Sequence, residues 1–486
     1  MQLSQQTLDK LDPRIAVPRY DRSALRPGIL HIGLGNFHRA HQALYLDDLM
    51  VRGDTLEWGI LGAGAMPGDA VMRKDLAAQN WLYSVVEQDA ASQSARVVGA
   101  MTGFVEVEAG HGPLRAAMRD PETRVLSLTV TEGGYYLDAA GHPNLDHPAL
   151  LADIEHPDAP TTVFGAIVAG LRDRRAAGVP PFTIMSCDNL PHNGAVARTL
   201  IQGLAERQDA ALGAWVAEEI RFPNSMVDRI TPATTPSRAA SVEQEFGLRD
   251  RRPVFCEPFR QWVLEDSFTN GRPPLEQVGV EFVTDVTPFE MMKIRILNGG
   301  HAIIAYAAGL LGIEFAHEAM ENPLVAGFLE KIETTEVIPM VPPVPGTSTA
   351  DYFTTVKHRF GNPRVEDTIQ RLCFDGSNRQ PKFVVPTLLD NLRQGGPVEG
   401  LALESALWCR YCMGHDENGK AIEPNDPSWD RLQARAKAAV DQPSIWLEMD
   451  EVYGETAENP RFRESFEAAL HDVLKRGTAA VLNSYL

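Results

Sequence analysis

The sequence is short of cysteine, of positive charge and of long apolar runs, and each shortage removes a class of protein. Its five cysteines, Cys187, Cys256, Cys373, Cys409 and Cys412, are odd in number and scattered, which reads as reduced thiols rather than a disulfide framework. Only Cys409 and Cys412 are close. Their Cys-Arg-Tyr-Cys lies in a Leu-, Ala- and Trp-rich helical pattern with no second Cys or His pair, so it reads as structural and gives no zinc site. Lys and Arg number 45 against 65 acidic residues, a net charge of −20, and such a surface repels nucleic-acid phosphates and anionic lipid. The most apolar stretch, around Ile303 to Leu311, falls well short of the roughly 20 residues a membrane span requires. The amino-terminal segment carries Asp9, Lys10, Asp12 and Arg14 where a signal peptide would have its apolar core. The expectation is a cytoplasmic protein that contacts neither nucleic acid nor membrane.

What is present is an ordinary globular composition, 44% hydrophobic and 23% charged. From Gly28 to about Asp285, β-rich runs alternate with helical patterns: GILHIG at 28–33, LEWGILG at 56–62, RVLSLTVTE at 124–132 and PFTIMSC at 181–187. This alternation predicts a largely parallel sheet with helices on its faces. From Thr287 the pattern is mainly helical, interrupted by VIPMVPPVPG at 337–346. The expected architecture is an α/β, Rossmann-like dinucleotide-binding domain over 1–286 and a mainly α-helical substrate-binding and catalytic domain over 287–486.

After the strand GILHI comes Gly33-Leu34-Gly35-Asn36-Phe37-His38-Arg39-Ala40, then the helical pattern HQALYLDDLM. Strand, glycine turn and helix form the dinucleotide geometry, in which backbone approaches a pyrophosphate closely. Ile32, Gly33, Gly35, Asn36, Phe37 and Arg39 are therefore the candidate cofactor residues. The third glycine of the fingerprint is missing, so a ligand-free tight turn is the competing reading. A second Gly-Ala-Gly at 62–64, with Gly68, follows the probable second strand and is expected to lead to the adenosine ribose. There Asp69 would accept from ribose hydroxyls and repel a 2′-phosphate, favouring NAD over NADP; a solvated helix cap is its plainer reading.

Thr287-Pro288-Phe289-Glu290 is a capping box with proline at the first helical position, and it predicts a helix running on through MMKIRILNGGHAIIAYAAGLL. At ~100° per residue, Lys293, Asn298 and His301 fall at about 0°, 140° and 80°, on one side of that helix, with Lys293 and His301 about 12 Å apart along its axis. Singly, they read as a solvated lysine, a neutral helix residue and a satisfied core histidine. Against that stand the apolar neighbours Ile294, Ile296, Leu297, Ile303 and Ile304, and the Gly299-Gly300 pair, which costs about 1 kcal/mol per glycine unless something approaches closely. A lysine in such a cleft has its pKa lowered by desolvation, and its neutral form is a base for an alcohol proton. Asparagine amides can donate to the developing alkoxide, so no metal is needed.

Five segments and this helix together resemble the polyol-specific long-chain dehydrogenases, the mannitol dehydrogenase family. The segments are GLGNFHRAHQALY at 33–45, TVTEGGYY at 129–136, SCDNLPHNGAVAR at 186–198, FPNSMVDRITP at 222–232, CEPFRQWVLED at 256–266 and the Lys293 to His301 run, with RLCFDGSNRQPKF at 371–383 and SCDNLPHNG pointing to the mannitol-oxidising branch. The resemblance implies NAD-dependent interconversion of a sugar alcohol and a ketose, mannitol and fructose, in a cleft between the domains of a monomer. It implies that Lys293 is the general base, that Asn189 and Asn298 hold the reacting oxygen, and that His301 and Asp228 orient substrate and support the lysine. Glu132 would lie on a proton route to solvent, and Arg371 would bind the far hydroxyls. Without the family pattern, Asn189 reads as a turn residue, Asp228 as a loop cap, Glu132 as a surface carboxylate and Arg371 as a salt-bridge partner. Two positions depart from the family. Arg379 stands where mannitol enzymes carry a second substrate-binding lysine, and a guanidinium is not equivalent to an ammonium. Gly68 stands where an acidic residue can occur. Fructuronate reduction and arabinitol or sorbitol oxidation therefore stay open as alternatives, as does a non-catalytic NAD(H) sensor.

Overall fold

The computed structural model describes residues 1–53, 55–138 and 141–486, in two compact units, Met1–Thr287 and Pro288–Leu486. The first is built on five strands, β1 (Ile29–Ile32), β2 (Ile60–Ala63), β3 (Met101–Phe104), β4 (Val125–Leu128) and β5 (Thr183–Ser186). They are all parallel and lie in the spatial order β3-β2-β1-β4-β5. Strands buried on both faces read as continuous apolar runs, and β1, β4 and β5 are buried at every position.

Alternation along β1 divides the core. Ile29 joins a cluster with Ala43, Leu44, Leu46 and Leu49 of the helix Gln42–Val51. Leu30 and Ile32 join the opposite cluster, with Phe164, Ile167 and Leu171 of Val163–Ala176 and Leu200, Ile201 and Leu204 of Asn193–Gln208. Since β1 lies between β2 and β4, the chain order reverses beside it, which places a topological switch point at the carboxyl ends of β1 and β4.

The expected run of parallel strands is not the whole unit. Tyr83–Gln88 and Gln93–Val98 form an antiparallel hairpin inside a four-stranded mixed sheet. Its turn is held by Asp89, whose Oδ1 accepts from the N–H groups of Ala91 and Ser92. A three-stranded sheet of Ser225–Asp228, Gln261–Glu265 and Glu281–Val283 is also mixed.

Three histidines are buried in and beside β1. His31 stacks on His38 with ring centroids 3.3 Å apart. His38 Nδ1 pairs with Gln42 Oε1, Gln42 Nε2 with His41 Nδ1, and His41 Nε2 with the Gln261 carbonyl. Burial pushes all three below the ordinary value of 6.5, His31 and His41 to about 3. The unfolded chain therefore binds protons that the fold refuses, and their contribution is complete above about pH 6.5 and lost as pH falls towards the folded values. At pH 5 each costs about 2 kcal/mol. Peptide-resolved hydrogen exchange over 28–51, corrected for intrinsic rates, should lose protection between pH 6.5 and 5; constant protection would refute neutral burial.

The second unit is helical. Gly299–Leu310 and Glu399–Tyr411 are buried almost throughout, and Pro460–Arg476 packs on the latter. The proline-rich stretch falls where the helix Pro323–Ile332 gives way to a π turn, Glu333–Val337, and a 3₁₀ turn, Ile338–Met340. Prolines there lack the N–H that would continue the ladder. Cys409 and Cys412 close Glu399–Tyr411 as buried free thiols, as are the other three, and burial pushes Cys256 and Cys373 up to about 12. Among the described residues no helix is long and apolar enough to cross a membrane.

Candidate active site

In the first unit the site starts at the switch point. Gly33 follows β1 with φ +96°, and a Cβ there would stand 2.1 Å from the Thr129 carbonyl oxygen, so only glycine fits. Gly35 is different: a Cβ there would meet nothing nearer than 4.0 Å. The space in front of Gly35 is open, which fits a ligand lying against the turn.

The remaining cofactor candidates take varied positions. Ile32 is fully buried, and its carbonyl accepts from the Thr129 N–H. Asn36 Nδ2 reaches the Thr234 hydroxyl at 3.3 Å, while its Oδ1 accepts from Arg39 Nη2 at 2.6 Å. Phe37 stacks on His41. Arg39 is turned inward rather than towards the turn's open face: it is 2% exposed, donates to the Arg252 carbonyl and lies over the Tyr83 ring. Asp69, the first residue of the helix Asp69–Ala77, accepts through Oδ2 from the N–H groups of Ala65 and Met66 at 2.8 and 2.9 Å. One of its oxygens is thus engaged in closing the 64–68 turn.

The chemical candidates of this unit lie at or beyond strand ends. Glu132 is exposed at the start of the 3₁₀ turn Glu132–Tyr135, after Thr131 at φ +66°. Asn189 is exposed in the loop after β5, and Asp228, 5% exposed, ends Ser225–Asp228. Asp188, which sequence reading passed over, joins two of these loops. Its carboxylate accepts from the N–H groups of Val130 and Thr131 and from the Tyr135 hydroxyl at 3.1, 2.7 and 2.7 Å. Burial raises its pKa above the ordinary 3.8, yet these donors hold it in place beside Asn189. A buried acid followed by Asn before Leu-Pro is the signal that could have marked it.

In the second unit, Lys293 and Asn298 bound a π turn, Lys293–Asn298, between the helices Thr287–Met292 and Gly299–Leu310. The alignment expected at ~100° per residue assumes a regular α-helix and does not carry over, because i→i+5 bonding places an extra residue in the turn. Single wide turns of this kind recur at functional sites. Lys293 is 9% exposed, His301 is 6% exposed and Asn298 is half-buried. Glu290, read from sequence only as a helix cap, is buried one turn before Lys293. The glycine pair has its close approaches: a Cβ on Gly299 would lie 3.2 Å from the Phe383 carbonyl oxygen, and one on Gly300 3.2 Å from Glu333 Oε1.

His301 stacks on Phe360, centroids 4.0 Å apart. Burial first, and then the charges of Arg371, Arg379 and Arg359, hold it neutral, well below the ordinary value. Arg371 makes a two-pronged ion pair with Asp367, both contacts at 2.5 Å, and remains 57% exposed. Arg379 donates to the Leu372 and Phe374 carbonyls at 2.8 and 3.3 Å and lies over the Phe383 ring. Among the described residues no group of three or more His, Cys, Asp or Glu side chains is placed to hold a metal ion.

A glycine turn at the switch point of a five-stranded parallel sheet, followed by a separate helical unit, defines a dinucleotide-binding fold of the Rossmann type with its own C-terminal domain. Residues 27–277 match the family described as the mannitol dehydrogenase Rossmann domain, and residues 285–474 the mannitol dehydrogenase C-terminal domain. The chain belongs to the mannitol dehydrogenase family. It is 57% identical over 469 residues to a mannitol 2-dehydrogenase of Cereibacter sphaeroides, covering 96% of this chain and 98% of the relative. It resembles the structure of the Pseudomonas fluorescens mannitol 2-dehydrogenase in ternary complex with NAD and D-mannitol, at TM-score 0.89 and 41% identity, covering 100% of this chain and 99% of the other. A D-sorbitol dehydrogenase in substrate-free form matches at TM-score 0.90 and 33% identity, covering 99% of this chain and 100% of the other.

Proposed function

We propose that this chain is an NAD-dependent mannitol 2-dehydrogenase that oxidises mannitol to fructose and catalyses the reverse reduction, with Lys293 as general base. The observation that supports this most is the burial of Lys293 at the head of a π turn ending in Asn298, in a chain 57% identical to a mannitol 2-dehydrogenase. Taking an amine out of water favours its uncharged form, the form that accepts a proton.

Gly33 and Gly35 would hold NAD by close backbone approach, with Asn36, Phe37 and Asp69 beside it; Arg39 would act from behind, through Asn36. When bound, NAD would supply the acceptor for the carbinol hydride in oxidation and, as NADH, its donor in reduction. The amine of Lys293 takes the alcohol proton as the carbonyl forms, and gives it back in the reverse direction. The amides of Asn298 and Asn189 donate to the reacting oxygen. His301, held neutral, and Asp228 orient the hydroxyls, Glu132 passes the proton to water, and Arg371 and Arg379 bind the distal end. Proton transfer assigned to Lys293 leaves no step that calls for a metal. A monomer working in the reducing environment of the cytoplasm completes the proposal, in keeping with five buried free thiols.

One observation favours a second reading of the substrate. Arg371 and Arg379 are two guanidiniums, both felt at His301, and such a pair suits the carboxylate of fructuronate as well as a distal hydroxyl. NADH oxidation followed at 340 nm with fructose, fructuronate, xylulose and tagatose in parallel separates the two. Turnover of fructose above the others is expected; turnover of fructuronate alone would move the assignment to uronate reduction.

A further inference from the structure

The carbonyl of Gly33 is restrained by groups that no cofactor reading requires. It accepts from the Gly35 N–H at 2.7 Å and from the Thr129 hydroxyl at 2.6 Å, with His31 Nε2 at 3.3 Å. Thr129 is the first residue after β4, and His31 lies in β1, so the restraint comes from the two strands that flank the switch point. The proton positions follow by elimination. Thr129 has one hydroxyl proton and gives it to Gly33, so the 3.0 Å contact between His31 Nε2 and Thr129 Oγ1 must be donated by the imidazole. His31 Nδ1 then accepts from the Ser127 hydroxyl at 2.8 Å. The chain Ser127–His31–Thr129–Gly33 is fully directed.

The consequence lies on the other side of the peptide. In a trans peptide the C=O and the following N–H point in opposite directions. A Gly33 carbonyl held towards Thr129 therefore aims the Leu34 N–H away from Thr129. Such an N–H is a donor for an anionic oxygen.

We propose that Thr129 and His31 are positioning residues for the dinucleotide: by fixing the Gly33–Leu34 peptide they present the Leu34 N–H to the pyrophosphate before the cofactor arrives. The proposal rests on the NAD reading above. A half-buried hydroxyl bonded to a carbonyl contributes through preorganisation, so its loss lowers affinity for the cofactor and leaves the chemical step alone.

The test is NADH titration by fluorescence, with steady-state kinetics, on the full-length wild type and on Thr129→Val, Thr129→Cys and Thr129→Ser. Thr129→Val is expected to weaken NADH binding and raise KM for NAD roughly tenfold. Its kcat should stay within about twofold of wild type and its KM for the polyol should not move. Thr129→Cys, with a poor donor of serine-like shape, should follow valine, and it serves if the valine variant fails to fold. Thr129→Ser should restore wild-type binding. A valine or cysteine variant that folds and binds NADH as tightly as wild type overturns the proposal, as does a serine variant as weak as valine. A wild type that binds no NADH overturns both this proposal and the NAD reading, whereas wild-type binding with unmoved variants overturns this proposal alone.

Discussion

Replacing Lys293 with alanine is expected to lower kcat for both mannitol oxidation and fructose reduction by roughly a thousandfold or more, while NADH binds as it does to wild type. The size follows from the role. A general base removes a proton that the alcohol cannot lose to water at neutral pH on the catalytic timescale, and the amides proposed to hold the oxygen, those of Asn298 and Asn189, would donate without accepting its proton. The selectivity for kcat follows from the proposed division of labour: Lys293 moves a proton, and the glycine turn after β1 holds the cofactor. Partial rescue by added primary amines would place the missing function at the lost Nζ. A Lys293→Ala variant with ordinary turnover would remove lysine from the mechanism.

Gly33→Ala is expected to abolish cofactor binding, by roughly a hundredfold or more in Kd, and to lower the thermal midpoint as well. Two costs act together. At φ +96° an alanine is strained by about 1–2 kcal/mol, and its Cβ would stand 2.1 Å from the Thr129 carbonyl oxygen, which belongs to the sheet and has little room to move. Relief requires the turn to shift away from β4, undoing the restraint on the Gly33 carbonyl. Gly35→Ala is the informative contrast. Its Cβ meets no atom nearer than 4.0 Å, so the thermal midpoint should hold while the added methyl enters the open space where the cofactor is proposed to lie. NADH titration and calorimetry on the two variants separate these outcomes. Equal stability loss in both would mean that neither glycine faces a ligand.

The sequence carried the central sheet well, because strands buried on both faces leave an unbroken apolar record: ILHI, VLSL and TIMS each appear as such runs. The helical start at Thr287 was equally legible from Pro288 and the box around it. What escaped reading depends on contacts distant in sequence. The π turn at Lys293 has no local signature; the Phe383 carbonyl that approaches Gly299 lies 84 residues away in the chain. The inward turn of Arg39 is set by Asn36 and by the Arg252 carbonyl, and an arginine beside a glycine turn otherwise reads as a phosphate ligand. Asp69 shows the same ambiguity from the other side, since a carboxylate at a helix start serves a turn and a ribose by the same acceptor chemistry. Thr129 stayed invisible because its role requires the register of β4 against β1, Leu128 opposite Ile32, which no local pattern reports. The hairpin Tyr83–Gln88 and Gln93–Val98 was missed amid a parallel alternation because its Asx-type turn contains no glycine or proline.

The proposed reaction is hydride transfer between NAD(H) and a polyol with a lysine in place of a metal. The measurement that tests it most directly is a single turnover: purified protein, stripped with a strong chelator and shown by elemental analysis to be free of zinc and other transition metals, mixed with stoichiometric NADH and excess fructose. Loss of absorbance at 340 nm matched mole for mole by mannitol is expected, at a rate unchanged by added zinc. NADH that binds and is not consumed, or consumption that appears only when metal is restored, would contradict it.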